Sequence, residues 1–217
     1  MIVTKIELEV KIMLKAVIFD LDGVLLDNTQ LIVEIFQEAA RRSGLKVPDK
    51  KSVIDTLGLV WVEMVERLLR RDKKYRKIIH KVWIEKEGNM KTMPGARKVL
   101  NNLKTKKAIV TSGTRPFVKR ILKNLINYFD LIITQESTEK HKPNPEPLLL
   151  ACNKLKIKPA EAVYVGDRLI DFETAKNAGM DFIGILSGGT SKEEFKKAGV
   201  KKIIKSLTEL SELLDRI

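Results

Sequence analysis

Acids that close short apolar runs are the first feature of this 217-residue sequence with the means to do chemistry. Asp20 and Asp22 follow Ala16-Val-Ile-Phe19, in the stretch Asp20-Leu-Asp-Gly-Val24. A strand running into two acids places one carboxylate at its end and the next two residues further on. Carboxylates so close repel unless a cation or a shared proton relieves them, and a hard divalent ion is the natural remedy; a turn with a solvated Asp is the alternative. A second pair, Asp167 and Asp171 in Gly166-Asp-Arg-Leu-Ile-Asp171, also follows an apolar run. Its spacing across a strand-to-helix turn suits convergence near Asp20, or else capping of the helix that follows. Between the pairs lie Thr111-Ser-Gly-Thr114, after another apolar run, and Lys142-Pro-Asn-Pro-Glu-Pro147, ahead of a helical pattern. Hydroxyls and free amides at a strand end can bind phosphoryl oxygens, and a lysine supplies the charge such a group needs. Taken singly, Thr111 also reads as the start of a turn and Lys142 as a solvated lysine.

The elements that must position these residues are legible in the hydrophobic pattern. Five short apolar runs, Ala16–Phe19, Ala108–Val110, Leu131–Ile133, Ala162–Val165 and Phe182–Ile185, lack alternation, as strands covered on both faces do. Helical patterns over Pro94–Lys104, Pro116–Asn124, Pro145–Lys156 and Leu169–Ala178 separate most of them. Strand and helix in alternation predict an α/β fold with a parallel, Rossmann-like sheet, whose ligands gather at the carboxyl ends of the strands. The stretch 28–91 breaks the alternation, with helical spacing in Leu31-Ile32-Ile35-Phe36, Val62-Val65-Leu68-Leu69 and Ile78-Ile79-Val82. Sixty-four residues are too many for an ordinary crossover. The expected organisation is therefore a core formed by 1–27 and 92–217 with a small helical cap, 28–91, inserted after the first strand. Asp22-Gly23, Gly88-Asn89 and Pro94-Gly95 are its expected hinges. Ahead of the core, Ile6–Ile12 alternates like a half-buried edge strand, or belongs to an over-long gene start before Met13.

Composition narrows the setting. Forty-one Lys and Arg against 28 Asp and Glu leave a net charge of +13, which points to an anionic partner. No apolar run approaches the roughly 20 residues of a membrane-spanning helix, and the single Cys152 cannot form an internal disulfide, so a cytoplasmic location is expected. Residues 28–91 hold 15 basic and 9 acidic residues, a net +6 in 64, which suggests a basic lid suited to an anionic partner. The cluster Arg67, Arg70, Arg71, Lys73, Lys74, Arg76 and Lys77 within it reads as a solvated helix face rather than a nucleic-acid surface. His80 and His141 lack a third partner for a transition-metal site, Cys152 reads as packed, and Asp27-Asn28-Thr29 as a helix cap. Neither Gly-x-Gly-x-x-Gly nor a Gly-Lys-Ser/Thr phosphate loop is present.

In their order along the chain, Asp-x-Asp-Gly-Val, a strand ending in Thr, Lys-Pro-x-Pro and Gly-Asp-x-x-x-Asp resemble the haloacid dehalogenase-like superfamily, from Leu14 to the C-terminus. The position of the helical insert resembles the phosphoglycolate phosphatase and β-phosphoglucomutase group. The resemblance implies that Asp20 is a nucleophile forming an aspartyl-phosphate and that Asp22 is the general acid and base. It implies Mg²⁺ held by the Asp20 carboxylate, the Asp22 backbone carbonyl and Asp167, with Asp171 as outer ligand or orienter. Thr111, the Ser112 backbone and Lys142 would bind the phosphoryl group. An acid at position 22 favours phosphoryl transfer over dehalogenation, which needs no proton donor. A small phosphorylated metabolite, such as phosphoglycolate or a sugar phosphate, is the implied substrate. Arg168 and Ser112-Gly113 nevertheless depart from the phosphoglycolate phosphatase pattern, and a phosphomutase would share every core residue.

Overall fold

The computed structural model describes residues 13–214 apart from Arg71, Asn124 and the Lys73 side chain; the alternating segment 6–12 lies outside the described residues. In chain order the elements are β1 (Ala16–Phe19), β2 (Leu26–Asp27), α1 (Thr29–Arg42), α2 (Lys50–Ile54), α3 (Trp61–Leu68), α4 (Lys73–Lys86), β3 (Lys91–Thr92) and α5 (Ala96–Asn102). There follow β4 (Lys106–Val110), α6 (Arg115–Leu122), β5 (Leu131–Ile133), α7 (Glu146–Leu155), β6 (Ala162–Gly166), α8 (Leu169–Asn177), β7 (Asp181–Ile185), α9 (Lys192–Ala198), β8 (Lys202–Ile204) and α10 (Thr208–Leu214).

Six strands form one parallel sheet in the order β5-β4-β1-β6-β7-β8. β1 and β6 are buried along their whole length, which accounts for their unbroken apolar composition. Alternate residues nevertheless enter different cores. Val17, Phe19, Val163 and Val165 pack with α5, α6 and α10, whereas Ala16, Ile18, Ala162 and Tyr164 pack with α7, α8 and α9. Burying both faces of a sheet between helix layers is what allows it to be wholly parallel.

Chain order runs outward from β1 in both directions, through β4 to β5 on one side and through β6 to β7 and β8 on the other. The loops after β1, β4 and β6 therefore diverge and leave a crevice at the carboxyl ends of the strands.

Helices α1 to α4 bury a third apolar cluster, including Phe36, Met64, Val65, Ile79 and Val82. Trp83 and Met90 pack against both this cluster and the α5/α6 side of the sheet. Beside them the chain leaves and re-enters the core as an antiparallel ribbon, pairing Leu26 with Thr92 and Asp27 with Lys91.

All five expected strands are present. β8 and the β2–β3 ribbon were not anticipated, because two or three residues are too few to show a period. Helix α5 starts at Ala96 rather than Pro94, since Gly95 takes a left-handed φ of +81° that interrupts helical geometry. Among the described residues no helix is long and apolar enough to cross a membrane.

Candidate active site

The fold brings the four motifs to the divergence point of the sheet. Asp20 follows β1 directly, and its amide donates to the Val165 carbonyl of the neighbouring β6 at 2.9 Å. Thr111 follows β4 and is held likewise, its amide donating to the Ile133 carbonyl at 3.0 Å. Asp167 follows β6, and Asp171 sits in the first turn of α8. Lys142 enters from the loop ahead of α7.

Lys142 lies at the centre, with its side chain 2 % exposed. Its Nζ donates to Asp20 Oδ1 and Asp171 Oδ1, each at 2.8 Å, and lies 5.2 Å from the centre of the Tyr164 ring. Burial disfavours its charge, but Asp171 and Asp20 outweigh that and raise its pKa above the ordinary lysine value. Asp171 also accepts from the Tyr164 hydroxyl at 3.1 Å and from the Arg168 amide at 3.2 Å. Three donors thus fix this carboxylate.

Asp167 is differently placed. It is buried, and its Oδ1 has no hydrogen-bond partner. Its other oxygen lies under backbone: a Cβ added to Gly188 would fall 1.6 Å from Asp167 Oδ2, and one added to Gly23, where φ is +77°, would fall 2.5 Å from the same atom. Only glycines permit so close an approach.

Ligand atoms of Asp20, Asp167 and Asp171 lie within 4.8 Å of one another. Burial, reinforced by Asp171 and Asp22, pushes the Asp20 carboxyl up to about 7 despite Lys142, and burial with the Asp171 and Asp20 charges pushes Asp167 well above the usual range. Such shifts express a charge deficit: the buried acids outnumber the nearby cations Lys142 and Arg168. Hard oxygen donors, an unpartnered buried oxygen and excess negative charge together fit a small divalent cation such as Mg²⁺.

The Asp22 carboxylate stands apart from that cluster and lines the adjoining cavity. It accepts a hydrogen bond from Asn28 Nδ2. Burial raises its pKa, opposed by the Asn28 bond and by Lys142. Asn28 was expected to cap α1, yet its side chain makes no capping bond and serves Asp22 instead.

Thr111 and Ser112 line the same cavity. Thr111 Oγ1 accepts from the Gly113 amide at 3.0 Å, and Ser112 Oγ donates to the Gly58 carbonyl at 2.6 Å, linking the sheet to the helical segment. The cavity encloses about 320 Å³ between the strand ends and helices α1, α3 and α4.

The expectation of a basic lid is not met. Arg67, Arg70, Lys74 and Lys77 are exposed, Arg76 pairs with Glu66 at 2.7 Å, and none of them lines the cavity. Charged side chains leave water only when paired, so these helices turn them outward. The segment instead presents apolar side chains, Trp61 and Trp83 among them, together with His80. His80 has no third partner at ligand spacing in the sequence, and Trp61 and Trp83 stand outside the apolar spacings that mark these helices. Tyr164, hidden in an apolar strand run, carried no signal of its contact with Asp171.

A family model of haloacid dehalogenase-like hydrolases matches residues 17–185. Among relatives, a pyrophosphatase, PpaX, of Halalkalibacterium halodurans is 32% identical over 178 residues, covering 77% of this chain and 81% of its own. A phosphoglycolate phosphatase of Nitrosospira multiformis is 27% identical over 226 residues, covering 94% and 96% respectively. The crystal structure of a hydrolase from Pseudomonas syringae superposes with a TM-score of 0.82 at 26% identity, over 94% of this chain and 99% of that one. The chain belongs to the haloacid dehalogenase-like hydrolases. Within them it falls in the phosphatase group.

Proposed function

We propose that the protein is a Mg²⁺-dependent phosphatase that hydrolyses a small phosphorylated metabolite through an aspartyl-phosphate on Asp20. The observation that carries this reading is Lys142 bridging Asp20 and Asp171 at 2.8 Å beside the unpartnered Asp167 oxygen, at the floor of a cavity lined by Asp22 and Thr111.

A carboxylate oxygen of Asp20 attacks phosphorus in line with the leaving oxygen, and the bond from phosphorus to the ester oxygen breaks. Asp22, whose raised pKa favours the protonated form, gives its proton to the departing alcohol. In the second step Asp22 takes a proton from water, whose oxygen attacks phosphorus and releases the Asp20 carboxylate with inorganic phosphate. Asn28 holds Asp22 in one orientation throughout. Lys142 favours the ionised form of Asp20 and balances phosphoryl charge, while the Thr111 hydroxyl and the Ser112 amide bind the transferring oxygens.

Asp20, the Asp22 backbone carbonyl and Asp167 would hold Mg²⁺, with Asp171 kept by its three donors as an orienting neighbour. Mg²⁺ so held supplies positive charge to the phosphoryl oxygens and to the Asp20 carboxylate. Residues 28–91 form the cap and 1–27 with 92–217 the core. The separate apolar cluster of α1–α4 and the β2–β3 ribbon at its base support that division.

Phosphate release from a panel of phosphoesters, with and without a Mg²⁺ chelator, tests the proposal. Asp20→Asn should abolish turnover in a folded protein, and undiminished activity in that variant refutes the nucleophile. A phosphomutase would use the same residues and would reveal itself by isomerising a sugar phosphate without net phosphate release.

A further inference from the structure

The cavity lining is mostly apolar, and its polar side chains include His80, Arg120 and Glu136 besides the residues at the strand ends. Asp20, Asp22, Asp167 and Thr111 lie at its floor, while Leu57, Leu59, Trp61, Met64, Trp83 and Phe117 line its walls. The aromatic side chains form a continuous edge-to-face series: Trp61 and Trp83 have ring centres 4.8 Å apart at 82°, and Trp83 and Phe117 5.3 Å apart at 82°. Phe36 backs Trp61 at 5.6 Å from behind, within the α1–α4 cluster. Mutual edge-to-face packing holds such rings rigidly, giving a preformed apolar wall.

Cations at the cavity do not change its character. Arg120 is engaged by Glu87, with Nε to Oε1 at 2.7 Å and Nη2 to Oε2 at 3.0 Å. Arg168 belongs to the floor: its Nη1 lies where a Cβ on Gly189 would come within 1.8 Å, and its charge acts on Asp167. Among the described residues, His80 is the titratable side chain that the helical segment brings to the cavity. A leaving group bearing a carboxylate, a second phosphate or several hydroxyls would lose its hydration against the indole and leucine surfaces, and its replacement partners would be confined to the few polar side chains of the lining, such as Arg120, Arg168 and Glu136. An apolar ring would instead exchange water for dispersion contacts with the tryptophans.

We infer that the substrate is a phosphomonoester of an alcohol carrying an apolar ring, and that Trp61 and Trp83 are the residues that select it. The inference rests on the phosphatase reading above and narrows it away from glycolate, pyrophosphate and sugar phosphates. Burying a ring-sized apolar group is worth about 10- to 100-fold in kcat/KM over a group the size of ethyl.

Trp61 and Trp83 are the only two tryptophans in the chain, so intrinsic fluorescence reports directly on this wall. Benzylphosphonate, which cannot be hydrolysed, should change the emission saturably in the presence of Mg²⁺, whereas methylphosphonate should require at least about tenfold higher concentration. With Mg²⁺, kcat/KM for benzyl phosphate should exceed that for ethyl phosphate, phosphoglycolate and pyrophosphate; benzyl and ethyl esters release alcohols of similar acidity, so the comparison reads binding. Trp61→Ala should raise KM for benzyl phosphate by about tenfold and for ethyl phosphate by a clearly smaller factor, and Trp61→Phe should restore most of the loss for benzyl phosphate. Trp83→Leu provides the same comparison if Trp61→Ala does not fold. Equal efficiency for benzyl and ethyl phosphate, or preference for phosphoglycolate or pyrophosphate, overturns the substrate class and leaves the phosphatase reading standing. Saturable binding of benzylphosphonate with no phosphate released from any ester upholds the selectivity of the wall and refutes the hydrolytic reading.

Discussion

Replacing Gly188 by Ala perturbs the site through a single methyl group. The added Cβ would lie 1.6 Å from Asp167 Oδ2, 2.3 Å from its Cγ and 2.5 Å from its Cβ, whereas real Cβ contacts below 3.0 Å essentially do not occur. Closing the gap between 1.6 and 3.0 Å requires the carboxylate, or the loop after β7, to retreat by about 1.4 Å. Asp167 is also confined by the Gly23 backbone, where an added Cβ would fall 2.5 Å from the same oxygen. A displacement of about 1 Å in an active site costs on the order of 100-fold in rate. Gly188→Ala is therefore expected to lower kcat/KM by about 100-fold or more and to weaken Mg²⁺ binding measured by calorimetry. Gly88→Ala is the control, since a Cβ there meets nothing within 4 Å. Circular dichroism would establish that both variants fold. A folded Gly188→Ala protein with Mg²⁺ affinity and turnover like those of Gly88→Ala would refute the assignment of Asp167 as the residue that needs this confined position.

Other outcomes follow from the same charges. Lys142→Met removes a cation hydrogen-bonded to both Asp20 and Asp171, and breaking a buried pair costs about 3–5 kcal/mol, so urea unfolding should show a loss of that size without Mg²⁺; an unchanged midpoint would contradict the central role of Lys142. Because burial lifts the Asp20 carboxyl from 3.8 to about 7, the native state without metal binds the more protons between those values, and its stability should fall as pH rises from about 4 to 7. Mg²⁺ binds the ionised acid, so the rise in Tm produced by Mg²⁺ in thermal shift assays should grow between pH 5 and pH 8; a constant increment would contradict this. Cys152 is 3 % exposed, and burial, with the Glu161 charge, pushes its thiol up to about 11, so the folded protein should react with a thiol reagent at pH 8 about 100-fold more slowly than the urea-unfolded chain.

The candidate residues at the cavity floor were readable because local sequence suffices to place them at strand ends. Asp20, Thr111 and Asp167 each follow a run of residues that only a buried strand accommodates, so their arrival at strand ends is fixed by the period of the pattern. The helical insert was readable for the same reason, from apolar residues at helical spacing in α1, α3 and α4.

Contacts that join distant segments have no local pattern. Lys142 meets Asp20 across 122 residues and could be singled out only through its place among the motifs. Tyr164 looks like one more apolar strand residue until the sheet turns its hydroxyl to Asp171. Asn28 has the composition of a helix cap, yet the turn after β1 brings Asp22 within its reach. The insert's basic composition suggested a charged lid, while packing put Trp61 and Trp83 toward the cavity and the arginines and lysines toward water. Sequence alone therefore determined which residue types stand at the ends of which strands, since hydrophobic periodicity is a property of neighbours along the chain. Which face of the insert looks onto those strand ends, and hence what surrounds the leaving group, was decided only when three apolar clusters packed together, because desolvation sorts side chains by their surroundings in space.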